Sequence, residues 1–309
     1  MSLAIVFPGQ GSQSIGMMKG FADTPIVERT FMEANQILGI DLWSMVRDGP
    51  AESLSQTVNT QPIMLVAGVA CWRAYQEKNG PMPQWFAGHS LGEYSALVAA
   101  GAMRFEDALP LVRLRAQAMQ EAVPEGTGGI AAIIGLDAAK VEEVCREAAQ
   151  GEVLEPANLN SPVQVVIAGH RRAVERAMVL AKQKGAKIAT MLPMSAPSHC
   201  SLMKPAAARL RERLDAIEVK KPLVPVIQNR NVDTSDSPAK IKDALVEQLD
   251  HPVRWVETVQ WLGTKGVRRV IECGPGKVLV GLSKRIVPDI EYIALTDSAA
   301  VAAAAAHTG

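Results

Sequence analysis

The stretch Ala87-Gly88-His89-Ser90-Leu91-Gly92-Glu93 decides the fold. It reads Gly-x-Ser-x-Gly. Trp85-Phe86-Ala87 precedes it as a short apolar run after a Pro-rich break, and Leu91 to Met103, rich in Ala and Leu, follows. That is the pattern of a buried strand, a tight turn and a helix. A serine on such a turn sits in strained backbone, with its hydroxyl pushed out beside helix N–H groups. Glycines at 88 and 92 remove side chains that would collide as strand and helix close on each other. The pattern in this setting predicts Ser90 as a nucleophile. The competing reading, a capping serine at a helix start, requires neither glycine.

The remainder of the chain has room for a large α/β body around that turn. Its 309 residues suffice for one large or two smaller domains. Lys plus Arg and Asp plus Glu are both 32, a balance that argues against coating nucleic acid or an anionic membrane. Hydrophobic residues make up 48 % and the mean hydropathy is slightly positive, so a folded core is expected rather than disorder. Cys71, Cys145, Cys200 and Cys273 are far apart and form no Cys-x-x-Cys, so neither a disulfide framework nor a metal site is expected. Met-Ser-Leu-Ala-Ile-Val-Phe lacks a signal peptide's basic start, and no apolar run approaches the ~20 residues of a membrane helix. A cytoplasmic protein is the expectation.

Leu3–Phe7 reads as a buried first strand, followed by the loop Gly9-Gln10-Gly11-Ser12-Gln13. A dinucleotide fingerprint needs Gly where Ser14 stands, and no Gly-Lys-Ser/Thr follows, so nucleotide binding is not the expectation. Residues 25–47 read as helical, and Gln61-Pro62 as the opening of a helix running to about Lys78. On the helix spanning 105–121, Leu111, Val112, Arg115, Ala118 and Met119 share one face. Arg115 therefore stands in an apolar stripe and needs an anionic partner, either an internal carboxylate or a ligand.

From Gly128 to Met194 the order strand, helix, strand, strand, helix, strand is that of a ferredoxin-like (βαββαβ) unit. It reads as a subdomain, 126–194, inserted into a body made of 1–125 and 195–309. A cleft at such a junction is a favoured ligand site. Beyond it come a helical stretch to Ile217, a strand at Val224–Gln228 and a helix opened by Ser237-Pro238. On that helix Gln248 shares the face of Ile241, Ala244, Leu245 and Leu249, a second polar intruder. Val267–Glu272 reads as a strand entering Cys273-Gly274-Pro275-Gly276 and a final helix. The alanine-rich end is low complexity and is assigned no role.

Ser90 needs a base. His89 is adjacent and expected to support the loop; His170 lies among arginines at a turn, and His307 in the tail. His251 follows a helix end, where the dipole favours the imidazolium. His199 stands beside a helix start, which favours the neutral ring, so it ranks first and His251 second. No acid announces itself as a third triad member.

Gly88-His89-Ser90-Leu91-Gly92-Glu93, Phe7-Pro8-Gly9-Gln10-Gly11-Ser12-Gln13 and Pro197-Ser198-His199-Cys200 together resemble the bacterial malonyl-CoA:acyl carrier protein transacylases of fatty-acid synthesis. Asn158-Leu159-Asn160-Ser161-Pro162, Val165–Gly169 and Glu272–Gly276 extend the resemblance to about residue 297. It implies an α/β-hydrolase-like body with an inserted ferredoxin-like subdomain, and ping-pong transfer of malonyl from malonyl-CoA to the phosphopantetheine thiol of acyl carrier protein. By the same resemblance Ser90 is the nucleophile and His199 the base, while Gln248 orients His199 in place of an acid. Arg115 then holds the malonyl carboxylate, the N–H groups of Gln10 and Leu91 form the oxyanion hole, and Asn160 orders the site. Gln248→Asp or Glu is expected to raise hydrolysis relative to transfer. Ser198, small where some relatives carry a bulky residue, leaves room beside the base. No cofactor and no metal are expected, and a monomer is. The competing functions are a polyketide acyltransferase with another extender unit and a serine thioesterase or esterase. Lys182, Lys184, Lys187, Lys284 and Arg285 are candidates for docking an acidic carrier.

Overall fold

Leu3–Phe7 forms strand β1, buried along its whole length, as an unbroken apolar run requires of a central strand in a parallel sheet. Its residues alternate between two cores. Leu3, Ile5 and Phe7 join the larger, and Ala4 and Val6 the smaller one on the opposite face. The computed structural model describes residues 2–194 and 196–306; Ser195 and His307 lie outside them.

Strand β2 (Trp85–Gly88) flanks β1 on one side. Three strands, β3 (Gly128–Ile134), β4 (Leu154–Ser161) and β5 (Gln164–His170), precede β6 (Ile188–Met191) in a separate sheet. The chain then returns through β7 (Val226–Ile227), β8 (Arg269–Glu272) and β9 (Glu291–Ala294). The first sheet, in the order β7-β2-β1-β8-β9, is parallel throughout. Phe7, Gly88, Ile227 and Glu272 thus end their strands side by side, and the loops that follow them meet at one edge. In open α/β sheets this is where ligands bind.

The second sheet, in the order β4-β5-β3-β6, is antiparallel. Helices Ala138–Ala149 and Arg171–Gln183 cover one face, where Ala131, Ile133, Val165 and Ile167 point. Ile130, Ala132 and Val166, on the other face, look into the cavity that holds Ser90.

Several elements depart from expectation. The 25–47 helix is two, Pro25–Leu38 and Leu42–Asp48: Gly39 closes the first at φ +65° and Asp41 caps the second. The next long helix is Thr57–Glu77, so Pro62 lies inside it rather than at its start. The helix after the serine turn ends at Ala99, and Gly101 at φ +70° takes the chain away. The Trp255–Thr264 helix and β9 are additional to the expected elements. The alanine-rich end is a helix, Ser298–Ala306, whose Ala300 N–H donates to Asp297. Alanine's helix propensity forms it, and Val301, Ala304 and Ala305 bury into the larger core.

Candidate active site

Three glycines make the serine turn possible. A Cβ on Gly88 would lie 1.9 Å from the Gly92 carbonyl carbon, and one on Gly92 would lie 2.0 Å from the Phe7 oxygen. A Cβ on Gly9 would lie 2.5 Å from the His89 oxygen, so the first loop presses directly on the turn. Ser90 sits at φ +51°, the left-handed region that costs a non-glycine residue about 1–3 kcal/mol.

Ser90 Oγ lies 2.7 Å from Nε2 of His199. The His199 ring places Nδ1 2.7 Å from the Gln248 main-chain oxygen. A carbonyl can only accept, so Nδ1 carries the hydrogen and Nε2 of the neutral ring is left to accept the serine proton. Burial, and then the Arg115 cation, pull the His199 pKa down to about 3. Both keep the ring neutral, and His199 stands just ahead of the helical turn Ser201–Met203 and the helix Lys204–Asp215. His251, the second candidate, turns Nδ1 to the Glu247 oxygen at 2.9 Å and to Asp250 at 2.8 Å, in a separate cleft.

Arg115 is buried within this site. It donates from one terminal nitrogen to Gln61 Oε1 at 2.6 Å, and from the other to Ser90 Oγ at 3.2 Å and Gln248 Oε1 at 3.0 Å. Its carbon lies 5.5 Å from the Tyr94 ring centre. Among the described residues it makes no ion pair, and its Nε finds no acceptor. An internal salt bridge therefore does not explain this buried cation.

Gln248 acts differently from the expectation. Its main chain, not its side chain, meets His199. The side-chain amide accepts from Arg115 and donates to the Ser90 oxygen at 3.1 Å and to Glu93 Oε2 at 2.8 Å. Gln248 thus stands behind His199 where a triad acid would, but through its main-chain oxygen, so Gln248→Asp or Glu puts no charge on His199 and the expected gain of hydrolysis does not follow.

Asn160 Oδ1 lies 2.8 Å from His89 Nε2, and the His89 ring packs near Trp255. Gln10, Leu91, Arg115, Asn160, Ser198 and His199 line one cavity of about 480 Å³ with Ser90 at its floor. Gln10 also donates its side-chain amide to Thr57 at 3.2 Å.

Three further residues shape the site. Asn229, just past β7, accepts from Ser90 N–H at 2.7 Å and donates to the Gly88 oxygen at 2.6 Å, clamping the turn from both sides. Glu93, fully buried, accepts from the Asn229 N–H at 2.9 Å and from Gln248. Gln61 holds Arg115. The signals were there: Gln61 interrupts a buried helical run as Arg115 does, Glu93 closes the serine motif, and Asn229 follows the end of a parallel strand.

Residues 4–297 match the acyl transferase domain model. The chain belongs to the acyl transferase family. Among relatives of this acyl transferase is a malonyl CoA-acyl carrier protein transacylase of Salmonella typhimurium, 55 % identical over 302 residues, covering 97 % of this chain and 98 % of that one. One of Bacillus subtilis is 47 % identical over 297 residues, covering 96 % and 93 %. Among solved structures, an acyl-carrier-protein S-malonyltransferase of Burkholderia pseudomallei superposes with a TM-score of 0.97 at 55 % identity, covering 98 % of this chain and 99 % of that one. A malonyl-transacylase in complex with its type II PKS acyl-carrier protein superposes with a TM-score of 0.97 at 52 % identity, covering 99 % of both chains.

Of the docking candidates, Lys184 is engaged by Glu143 and Glu147 and Lys182 donates to the Lys187 oxygen. Lys284 and Arg285 are exposed, with no ion pair among the described residues.

Proposed function

We propose that this chain moves a malonyl group from malonyl-CoA to the phosphopantetheine thiol of an acyl carrier protein through a malonyl ester on Ser90. The observation that carries the reading is a buried arginine 3.2 Å from the Ser90 oxygen with no carboxylate in direct contact among the described residues. An acyl group ending in a carboxylate would give Arg115 that partner at the length of one methylene from the reacting carbonyl, and a plain acetyl group would not.

In the first half-reaction Ser90 Oγ attacks the thioester carbon while its proton passes to His199 Nε2. The N–H groups of Gln10 and Leu91 are the donors we assign to the oxyanion. Collapse breaks the carbon–sulfur bond, and the coenzyme A sulfur leaves with the proton from His199. In the second half the carrier's thiol gives its proton to His199, attacks the ester carbonyl and returns Ser90 to its alcohol. The neutral Gln248 carbonyl behind His199 supplies orientation without the charge of a triad acid, which suits removal of a thiol's proton better than water's. Coenzyme A enters as substrate, and these steps draw on no cofactor or metal. We take 126–194 as the subdomain closing the cavity over the body, 1–125 and 195–309, and we place the enzyme in the cytosol. Among the described residues no helix is long and apolar enough to cross a membrane.

Intact-protein mass after brief mixing with malonyl-CoA or acetyl-CoA tests the reading. Wild type gains a malonyl adduct and Ser90→Ala gains none. Arg115→Ala loses about 100-fold in malonyl loading, the scale of one lost charge-assisted carboxylate contact left uncompensated in a buried site. Accumulating coenzyme A without an adduct on any variant overturns transfer in favour of hydrolysis.

A further inference from the structure

Arg115 and Glu93 are the two ionisable chains of opposite charge buried in this site, and the Gln248 amide lies between them. Its oxygen faces the guanidinium at 3.0 Å and its NH2 faces the Glu93 carboxylate at 2.8 Å. An amide so aligned presents the negative end of its dipole to the cation and the positive end to the anion. Glu93 takes both of its hydrogen bonds, from Gln248 and from the Asn229 N–H, on Oε2, while Oε1 has no partner among the described residues. The carboxylate is fully buried and has no cation in contact among the described residues. A buried charge without a partner is costly, and the Arg115 cation across one amide is its compensation.

We propose that Glu93 is the built-in counter-charge of Arg115, acting through Gln248, and that its negative charge limits how strongly the site prefers an acyl group bearing a carboxylate. The inference rests on the reading above, in which Arg115 receives that carboxylate. Glu93 is a positioning and charge-setting residue; it does not touch the reacting atoms. An empty site holds one cation and one anion, and a malonyl group brings a second anion to the same guanidinium. Neutralising Glu93 leaves the substrate as the sole anion there and strengthens its hold.

Glu93→Gln separates charge from scaffold. A glutamine oxygen in the Oε2 position still accepts from Asn229 and Gln248, so the hydrogen bonds persist while the charge is gone. The readout is the ratio of kcat/KM for malonyl loading to that for acetyl loading, from quenched intact-mass time courses. The expected result is a rise of about tenfold in that ratio. A scaffold role lowers both rates together and leaves the ratio unchanged, and an unchanged or smaller ratio overturns the proposal.

Wild-type protein supplies a second arm should the variant fail to fold. Burial lifts the Glu93 pKa to about 7, so protonation does reversibly what the substitution does permanently. The segments that hold Glu93 through Asn229 and Gln248 carry the adjoining Arg230 and Glu247, which pair with each other at 3.3 Å. Of the other charged and titratable groups around it, Arg115 comes from helix Phe105–Glu121 and Tyr94 from Glu93's own helix; β1, β2 and β7 carry none. Helix Thr57–Glu77 turns Arg73 to Glu33, Tyr75 to the Pro81 oxygen and Glu77 to Arg29, and buries Cys71 as a thiol pushed up to about 12. His199, neutral over this range, serves both substrates and cancels in the ratio, as does coenzyme A. The malonyl-to-acetyl ratio therefore climbs as pH falls from 8.5 to about 5.5, and a flat ratio overturns the proposal. Arg115→Ala distinguishes the two failures. If it leaves the ratio untouched, the carboxylate reading itself falls; if it collapses the ratio while Glu93→Gln does nothing, only the counter-charge falls.

Discussion

Ser90 and His199 meet with both backbones in the left-handed region, at φ +51° and +64°. Neighbours hold each of them: Ser90 N–H is tied to Asn229, and His199 N–H to the Leu249 oxygen at 2.9 Å. Such strain persists because the surroundings over-determine it. The pairing of Ser90 with His199 was legible in the sequence because a serine on a glycine-flanked turn and a histidine at the exit of an inserted unit each leave a mark in residue identity. Which atom of Gln248 does what was not, since a main-chain carbonyl leaves no mark on residue identity. Its side chain sits between Arg115 and Glu93, so a carboxylate there competes for the arginine. Gln248→Glu is expected to lower malonyl loading about 100-fold while leaving the ratio of hydrolysis to carrier transfer as in wild type. A partition assay with labelled malonyl-CoA reads both, and a rise in hydrolysis over transfer would return the side chain to His199.

At the scale of elements, short helices rely on what meets their ends. The six-residue helix Val278–Ser283 has Leu279 N–H and Val280 N–H donating to the Glu272 carboxylate at 3.1 and 2.7 Å, from the end of β8. Burial nevertheless lifts the Glu272 pKa from 4.5 to about 7. Between those values the folded chain holds a proton that the unfolded chain has released, so stability is lost as pH rises from about 4.5 through about 7. The shift corresponds to about 3 kcal/mol. Urea midpoints of wild type should therefore fall more steeply between pH 5 and 8 than those of Glu272→Gln, and parallel curves would refute this. The turn into that helix was readable from Gly274-Pro275-Gly276, whereas the buried acid beneath it looked like any strand-end glutamate. The Trp255–Thr264 helix carries its own signal, Trp255, Thr258, Val259 and Leu262 on one buried face. Pro62 misled because proline marks a first turn more often than an interior.

For the molecule as a whole, alternating motifs disclosed two sheets of different texture, and the antiparallel one declared itself in a contiguous run from Gly128 to Met191. How the two sheets face each other across Ser90 was not in the pattern, because side chains such as Ile130 and Val166 read equally well as core. The strand order carries one more consequence, for how the chain folds. Leu3 pairs on one side with Arg269, near the opposite end of the chain, so the central strand of the parallel sheet waits for almost the entire polypeptide. The antiparallel sheet closes on partners emitted within one stretch. Loop-closure entropy makes the first assembly slow and the second quick. During synthesis β1 emerges well ahead of β8, so after β2 has paired along one edge the other edge of this apolar ribbon stays open until β8 appears. Pulsed hydrogen exchange during refolding should find amides of 128–170 protected before those of 3–7, and simultaneous protection would mean that both sheets condense as one unit.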